Sequence, residues 1–249
     1  MNKCPRCGSE ERQNRAGLTT AKSQRYKCMK CGKKYTPEKK QKGYDLGMRK
    51  KAIQMYIDGT NLRRISRHLG LHHRTVSLWV QAYAKEIPNA PVPERVEVAE
   101  MDELFTFIGN KKKRIYIVTK VDRKTRCFIG CHVVWERKTD NMQKVVDQGP
   151  MAHQYYSDAF PTYGCLVYFP GQYQVSTSKT DTYSVEGDNA ELRHYLARLV
   201  RKSRCFSRCP YALCCALRLF FFAFNSRQLH KQLHPKRPAH VFEFVAPRN

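Results

Sequence analysis

The sequence predicts a multi-domain chain: a small cysteine-stapled ribbon, an all-α unit, and then a larger α/β domain built on a mixed sheet. Three observations predict it. Two Cys-x-x-Cys pairs stand near the start, a stretch of helical periodicity punctuated by glycines follows, and the period changes to two after a proline-rich break. Of the 249 residues, 41% are hydrophobic and 11% aromatic, enough for packed cores, which excludes a disordered basic tail protein. Lys and Arg number 46 against 21 Asp and Glu, a formal charge of +25. The excess is steepest in residues 1–95, which hold 22 basic against 7 acidic side chains. A polyanion is the natural partner of such a surface, because each phosphate neutralised releases condensed counterions.

The first residues, Met-Asn-Lys-Cys-Pro-Arg-Cys, lack the apolar stretch of a secretory signal, so a cytoplasmic, nucleoid-associated location is expected. The longest apolar run, Leu213 to Phe224, is interrupted by Arg218 and falls short of the ~18 residues of a membrane span, so no membrane partner is expected. Eleven cysteines in a basic, intracellular-looking chain point to metal or plain thiols rather than disulfides.

Residues 1–42 are expected to form a zinc ribbon. Cys4 and Cys7, then Cys28 and Cys31, supply four thiolates on two tight knuckles, the donor set of a closed tetrahedral structural zinc. A glycine follows each second cysteine, as a knuckle that needs positive φ favours. A redox role for the pairs is the weaker alternative, since no βαβ pattern surrounds them. Cys127, Cys131, Cys205 and Cys209 read as ordinary thiols.

Residues 43–86 read as three helices. The first stops at Asp58-Gly59, Thr60 or Asn61 caps the second, and Gly70 separates it from a third carrying Val76, Trp79, Val80 and Tyr83. This is a helix-turn-helix candidate, with Arg63, Arg64, His73, Arg74, Thr75 and Ser77 as its DNA-facing set. A plain helical hairpin is the bland alternative. The nearby histidines are not taken as metal ligands, because no cysteine or carboxylate stands at ligand spacing. Residues 87–97, with Pro88, Pro91 and Pro93, form the linker.

In residues 98–249 the alternation of Val96 to Ile108, Arg114 to Thr119 and Arg126 to Trp135 predicts three antiparallel strands joined by short turns. A helix at about 139–148, strands at 154–160 and 164–169, and helices at about 185–202 and 211–225 complete the pattern. Three antiparallel strands, a helical crossover and a strand returning beside the first is the order of a ribonuclease-H-like fold.

In that frame Asp102 falls on the first strand, Asp158 at the end of the returning strand and Glu186 at the start of the long helix. Hard oxygen ligands so placed suit two magnesium or manganese ions and phosphoryl transfer. For the third position Asp181, Asp188 and Glu191 compete with Glu186. Helical spacing puts Glu186, Asn189, Arg193 and Ala197 on one face and the apolar Leu192, Leu196 and Leu199 on another. Arg193 and His194 could then approach DNA phosphate. Glu103 is set aside because it points to the opposite face of its strand from Asp102.

The runs Tyr155-Tyr-Ser-Asp-Ala-Phe-Pro-Thr-Tyr163, Asp181-Thr-Tyr-Ser-Val-Glu-Gly-Asp-Asn189, Leu196-Ala-Arg-Leu199 and Arg204-Cys-Phe-Ser207 resemble the transposases of the insertion sequence one family, and the likeness extends over nearly the whole chain. The resemblance implies that the cysteine pairs and the helical unit bind the terminal inverted repeats. It also implies that Asp102, Asp158 and Glu186 form a catalytic triad of two aspartates and a glutamate. Such an enzyme cuts at element ends and joins the freed 3′-hydroxyl to target DNA with magnesium. Two ends must meet in one complex, so a homo-oligomer on double-stranded DNA is expected. The alternative class is a non-catalytic, sequence-specific repressor of its own element.

Overall fold

The computed structural model describes residues 2–38, 44–176 and 182–245. Asp181, one of the competing acids, lies outside them. The chain divides into two compact units, Met1–Asp45 and Leu46–Asn249.

In the first unit β1 (Gln13–Leu18), β2 (Gln24–Cys28) and β3 (Lys34–Tyr35) make an antiparallel ribbon in that order. The buried cluster beneath it is only Cys4, Cys28 and Tyr35, with Tyr26 and Cys31 against it. Ordering each residue costs on the order of 1–2 kcal/mol, and so small a core does not offset that without a further staple.

The second unit begins with α1 (Leu46–Ile57), α2 (Leu62–Leu69) and α3 (His73–Glu86). Asn61 Oδ1 accepts from the Arg64 amide at 2.9 Å and starts α2, and Gly70 at φ +64° ends it. His72, itself exposed, caps α3, its Nδ1 accepting from the Arg74 amide at 3.3 Å. Ile53, Ile57, Ile65, Val76 and Val80 are buried, and they join one hydrophobic cluster with sheet and C-terminal helix residues such as Leu104, Ile117, Leu192 and Phe220. The three helices thus share a core with the sheet.

Five strands form the mixed sheet in the order β6-β5-β4-β7-β8. β4 (Val96–Ile108), β5 (Asn110–Asp122) and β6 (Phe128–Val134) are an antiparallel meander. α4 (Thr139–Val146) then crosses over, and β7 (Ala152–Ser157) returns parallel to β4 but pairs only with its first half, Val96 to Glu100. β8 (Gln172–Val175) extends the sheet parallel to β7. α5 (Tyr183–Tyr195) and α6 (Pro210–Leu233) contribute Val185, Leu192 and the buried phenylalanines to the cluster on one face, while Met142, Val145 and Val146 of α4 pack with Met101, Val118 and Tyr155 on the other. Alternate residues of β5 serve the two faces, as a pleated strand requires.

Three expectations change. The strand expected at 164–169 is a 3-10 turn over Pro161–Cys165 followed by a loop, and the fifth strand lies later, at Gln172–Val175. Pro161 and Gly164 favour a turn over a ladder. The helix expected to reach residue 202 ends at Tyr195, because Leu196 and Leu199 leave the helical path to bury their side chains and the Arg198 carbonyl accepts from Thr106 Oγ1 at 3.4 Å. The last helix runs further than expected, to Leu233. Within it Asn225 is fully buried, taking the Phe128 amide at 2.9 Å and donating to the carbonyls of Phe128 and Pro91, each at 2.8 Å. None of the helices among the described residues is long and apolar enough to cross a membrane.

Candidate metal centres and nucleic-acid interface

The ribbon brings all four predicted cysteines together: the sulfurs of Cys4, Cys7, Cys28 and Cys31 lie within 4.8 Å of one another. The Cys4–Cys31 and Cys7–Cys28 pairs are each 3.6 Å apart, close to the roughly 3.8 Å edge of a tetrahedron with ~2.3 Å zinc–sulfur bonds. The donor set and spacing fit zinc. The two knuckles repeat one another, the Gly8 amide donating to the Cys4 carbonyl and the Gly32 amide to that of Cys28, both at 2.9 Å with φ near +70°. Burial opposes charge on the Cys28 thiol, but the amides of Cys31, Lys30 and Gln13 outweigh it and bring the thiol down to about 6. Gln13 also receives the Tyr35 hydroxyl at 3.0 Å, so its orientation is held from outside the quartet.

The second centre stands on β4 and α5. Asp102 lies opposite Thr119 of the neighbouring strand, and Glu186 is in the first turn of α5. Asp102, Glu186, Asn189, Arg193 and Arg201 line one cavity of about 470 Å³, and so does Glu103, which strand alternation sets aside. The face predicted from helical spacing is thus the face that meets Asp102, although Ala197 falls beyond the end of the helix. Glu100, two residues before Asp102, fixes this arrangement: it is buried, pairs with Arg123 at 2.6 Å and accepts the Val185 amide at 2.9 Å. That last bond ties the first turn of α5 to β4.

Asp158 directly follows β7, exposed, with one carboxylate oxygen accepting the Phe160 amide at 3.1 Å. It does not line the cavity, but its charge raises the pKa of Asp102. Burial is the main cause lifting that carboxyl to about 6, and Glu103 adds to it, while the Asn189 amide works the other way. The three acids are more widely spaced than the cysteines, since no second group of three ligand atoms within 4.8 Å occurs among the described residues.

Two of the other acids nearby are held by partners of their own. Glu103 accepts the Tyr163 hydroxyl at 2.6 Å and pairs with Arg137. Asp188 takes two hydrogen bonds of 2.9 Å from Arg126. Among the described residues Asp102, Asp158 and Glu186 are in no ion pair. Asp158 and Glu186 are exposed, so the cost of an enclosed carboxylate without a cation falls on Asp102, and hard divalent ions offset such a cost.

Of the basic set, Arg63, Arg64, His73 and Arg74 are exposed, while Thr75 and Ser77 are half-buried and Ser77 Oγ accepts from Gln81 at 3.2 Å. Arg193 enters the carboxylate cavity, whereas His194 is exposed and sets its ring edge-on to Tyr195. Helical spacing placed Asn189 on the cavity face without a role, and it did not single out Thr119 or Arg201. Asn189 is buried and donates to Asp102, and Thr119 Oγ1 lies 3.2 Å from both the Asp102 carbonyl and Asn189 Oδ1.

Comparisons with known proteins place this chain in a family. The family described as IS1 transposase matches residues 96–211, a stretch that carries all three carboxylates. The insertion element IS1 protein InsB of Shigella flexneri is 31% identical over 112 residues, 44% of this chain and 82% of that protein, and the chain belongs to the insertion sequence one transposase family. Residues 47–99, which take in the three helices but for the first residue of α1, match the family described as putative ATPase subunit of terminase (gpP-like). A chain in the cryo-EM structure of the simian T-cell lymphotropic virus intasome in complex with PP2A regulatory subunit B56 gamma is 12% identical with a TM-score of 0.30. That alignment covers 56% of this chain and 57% of the other.

Proposed function

We propose that the protein is a DNA transposase that binds the terminal inverted repeats of its element, cleaves at the element ends and joins the 3′-hydroxyl to target DNA. The observation that carries this is that Asp102 and Glu186 line one cavity without an ion pair, whereas Glu103, which also lines it, is held by Arg137 and Tyr163. The order of the sheet, three antiparallel strands and a parallel return, supports a ribonuclease-H-like domain over about 98–249.

Asp102, Asp158 and Glu186 are the residues that would hold two magnesium or manganese ions. Ions held by these residues would supply activation of the attacking hydroxyl and stabilisation of the leaving oxygen. Asn189 orients the Asp102 carboxylate, and Arg193 with Arg201 offers charge-assisted hydrogen bonds to a phosphate entering the cavity. The zinc quartet closes the ribbon over 1–42 and does no chemistry, having four protein ligands and no open position. In the helical unit over 43–86, α3 is the recognition helix, with Arg74 and His73 at its exposed start. The linker proposed for 87–97 follows it. Two ends must be held together, so the active form is a homo-oligomer on DNA.

The test is magnesium-dependent cleavage of a labelled element-end duplex by Glu186→Gln and Glu191→Gln. Glu186→Gln is expected to lose cleavage and Glu191→Gln to keep it. The reverse result would move the third carboxylate to residue 191.

A further inference from the structure

β7 covers only the first half of β4, so the edge of β4 from Asp102 to Phe107 faces the segment after α5 instead of a strand. The closure comes at the far end, where Ile108 bridges to Ser207 and the Gly109 amide donates to the Ser207 carbonyl at 2.8 Å. Along this edge two cavities follow one another and share Arg193 and Arg201: the carboxylate cavity, and a second of about 450 Å³.

The second cavity has a different chemistry. Phe105, Phe107 and Phe206 line it together with Lys111 and Lys202, and no acidic residue does. Phe105 is 47% exposed, a large apolar ring left in water at the mouth of a site. Phe107 is edge-on to both Phe105 and Phe206, and the Arg114 guanidinium lies 4.5 Å from the Phe105 ring centre. Aromatic rings set among lysine and arginine are what a single strand requires, since bases stack on the rings while the cations meet the phosphates. A duplex keeps its bases stacked on one another and would leave the rings unused. The volume lies within the range of pockets that enclose small organic ligands, so a nucleotide fits.

We infer that the Phe105–Phe107–Phe206 cavity is a subsite for an unpaired nucleotide, holding the frayed or single-stranded DNA terminus beside the carboxylate centre. This deepens the proposed function and rests on it. Charge complementarity and continuity with the carboxylate cavity through Arg193 and Arg201 favour nucleic acid over an apolar peptide as the occupant.

The test is a binding comparison on the full-length protein, using a blunt duplex of arbitrary sequence and the same duplex with a four-thymidine single-stranded overhang. The wild type is expected to prefer the overhang by roughly 5- to 150-fold, the range of a single base–aromatic stack. Phe105→Ala, at an exposed position, is expected to remove that preference while changing blunt-duplex affinity less than two-fold, and Phe105→Trp to restore it. No preference in the wild type, or the same preference in Phe105→Ala, overturns the subsite. Cleavage assays separate the two proposals. An enzyme that needs Asp158 to cut but ignores the overhang loses only the subsite. One that prefers the overhang through Phe105 but cuts equally well without Asp158 loses only the catalytic assignment.

Discussion

Asn189 Nδ2 donates to Asp102 Oδ2 across 2.7 Å, and Asn189 Oδ1 accepts from Thr119 Oγ1 at 3.2 Å. The helix residue is therefore held by one strand while it orients a carboxylate on the next. We predict that Asn189→Ala lowers cleavage by roughly 10- to 100-fold, the usual effect of removing a partner that orients a metal ligand. The acidic limb of the pH–rate profile should also move upward, because the Asn189 amide opposes the rise of the Asp102 pKa. A loss of rate with an unmoved profile would mean that Asn189 supports the fold and does not tune the carboxylate.

Asp102 should also weaken the fold when no divalent ion is present. Its pKa rises on folding from the ordinary 3.8 to about 6, so the folded state binds more protons than the unfolded state between those values. Stability from this group is lost as pH rises through that window and stays lost above it. Asp102→Asn is therefore expected to be more stable than wild type by about 1 to 3 kcal/mol at pH 8 in chelator, the gain disappearing near pH 4. Thermal melts at the two pH values check this, and an equal gain at both would remove ionisation as its cause.

The ribbon should stand or fall with its metal. One zinc per chain is expected by elemental analysis, and Cys28→Ser should lose it. The separate core of Leu46–Asn249 should keep its own melting transition in that variant. Retention of a full equivalent of zinc by Cys28→Ser would show that Cys28 is not a ligand.

On the helical unit, Arg74→Ala should weaken binding to the element ends by roughly 1 to 3 kcal/mol if its side chain reads a base. Titrations on element-end and random duplexes check it. An equal loss on both would make Arg74 a phosphate contact.

The features legible in the sequence were those set by local spacing. Two residues between cysteines define a knuckle, Gly70 ends α2, and steps of three and then four residues from Glu186 through Asn189 to Arg193 share a helix face whatever the rest of the chain does. The missed features depend on tertiary partners. Lys120, near the end of β5, carries a charge, yet it is fully buried, its Nζ donating to the carbonyls of Val146, Gln148 and Pro150 where α4 ends. Burial holds its pKa down to about 8. Nothing in β5 announces that a helix terminus waits above it. Likewise the 185–202 pattern is helical in composition, but Leu196 and Leu199 find better burial off the helix axis. Strand alternation sets Glu103 aside, yet it lines the same cavity as Asp102, and only the fold reveals its bonds to Tyr163 and Arg137.

The most direct test of the catalytic assignment is magnesium-dependent cleavage of a labelled duplex carrying the element's ends, comparing wild type with Asp158→Ala while measuring end binding in parallel. The account predicts that the variant binds the ends nearly as wild type does and cuts nothing. Undiminished cutting by Asp158→Ala would contradict the carboxylate trio, and tight binding with no cutting by either protein would favour a repressor.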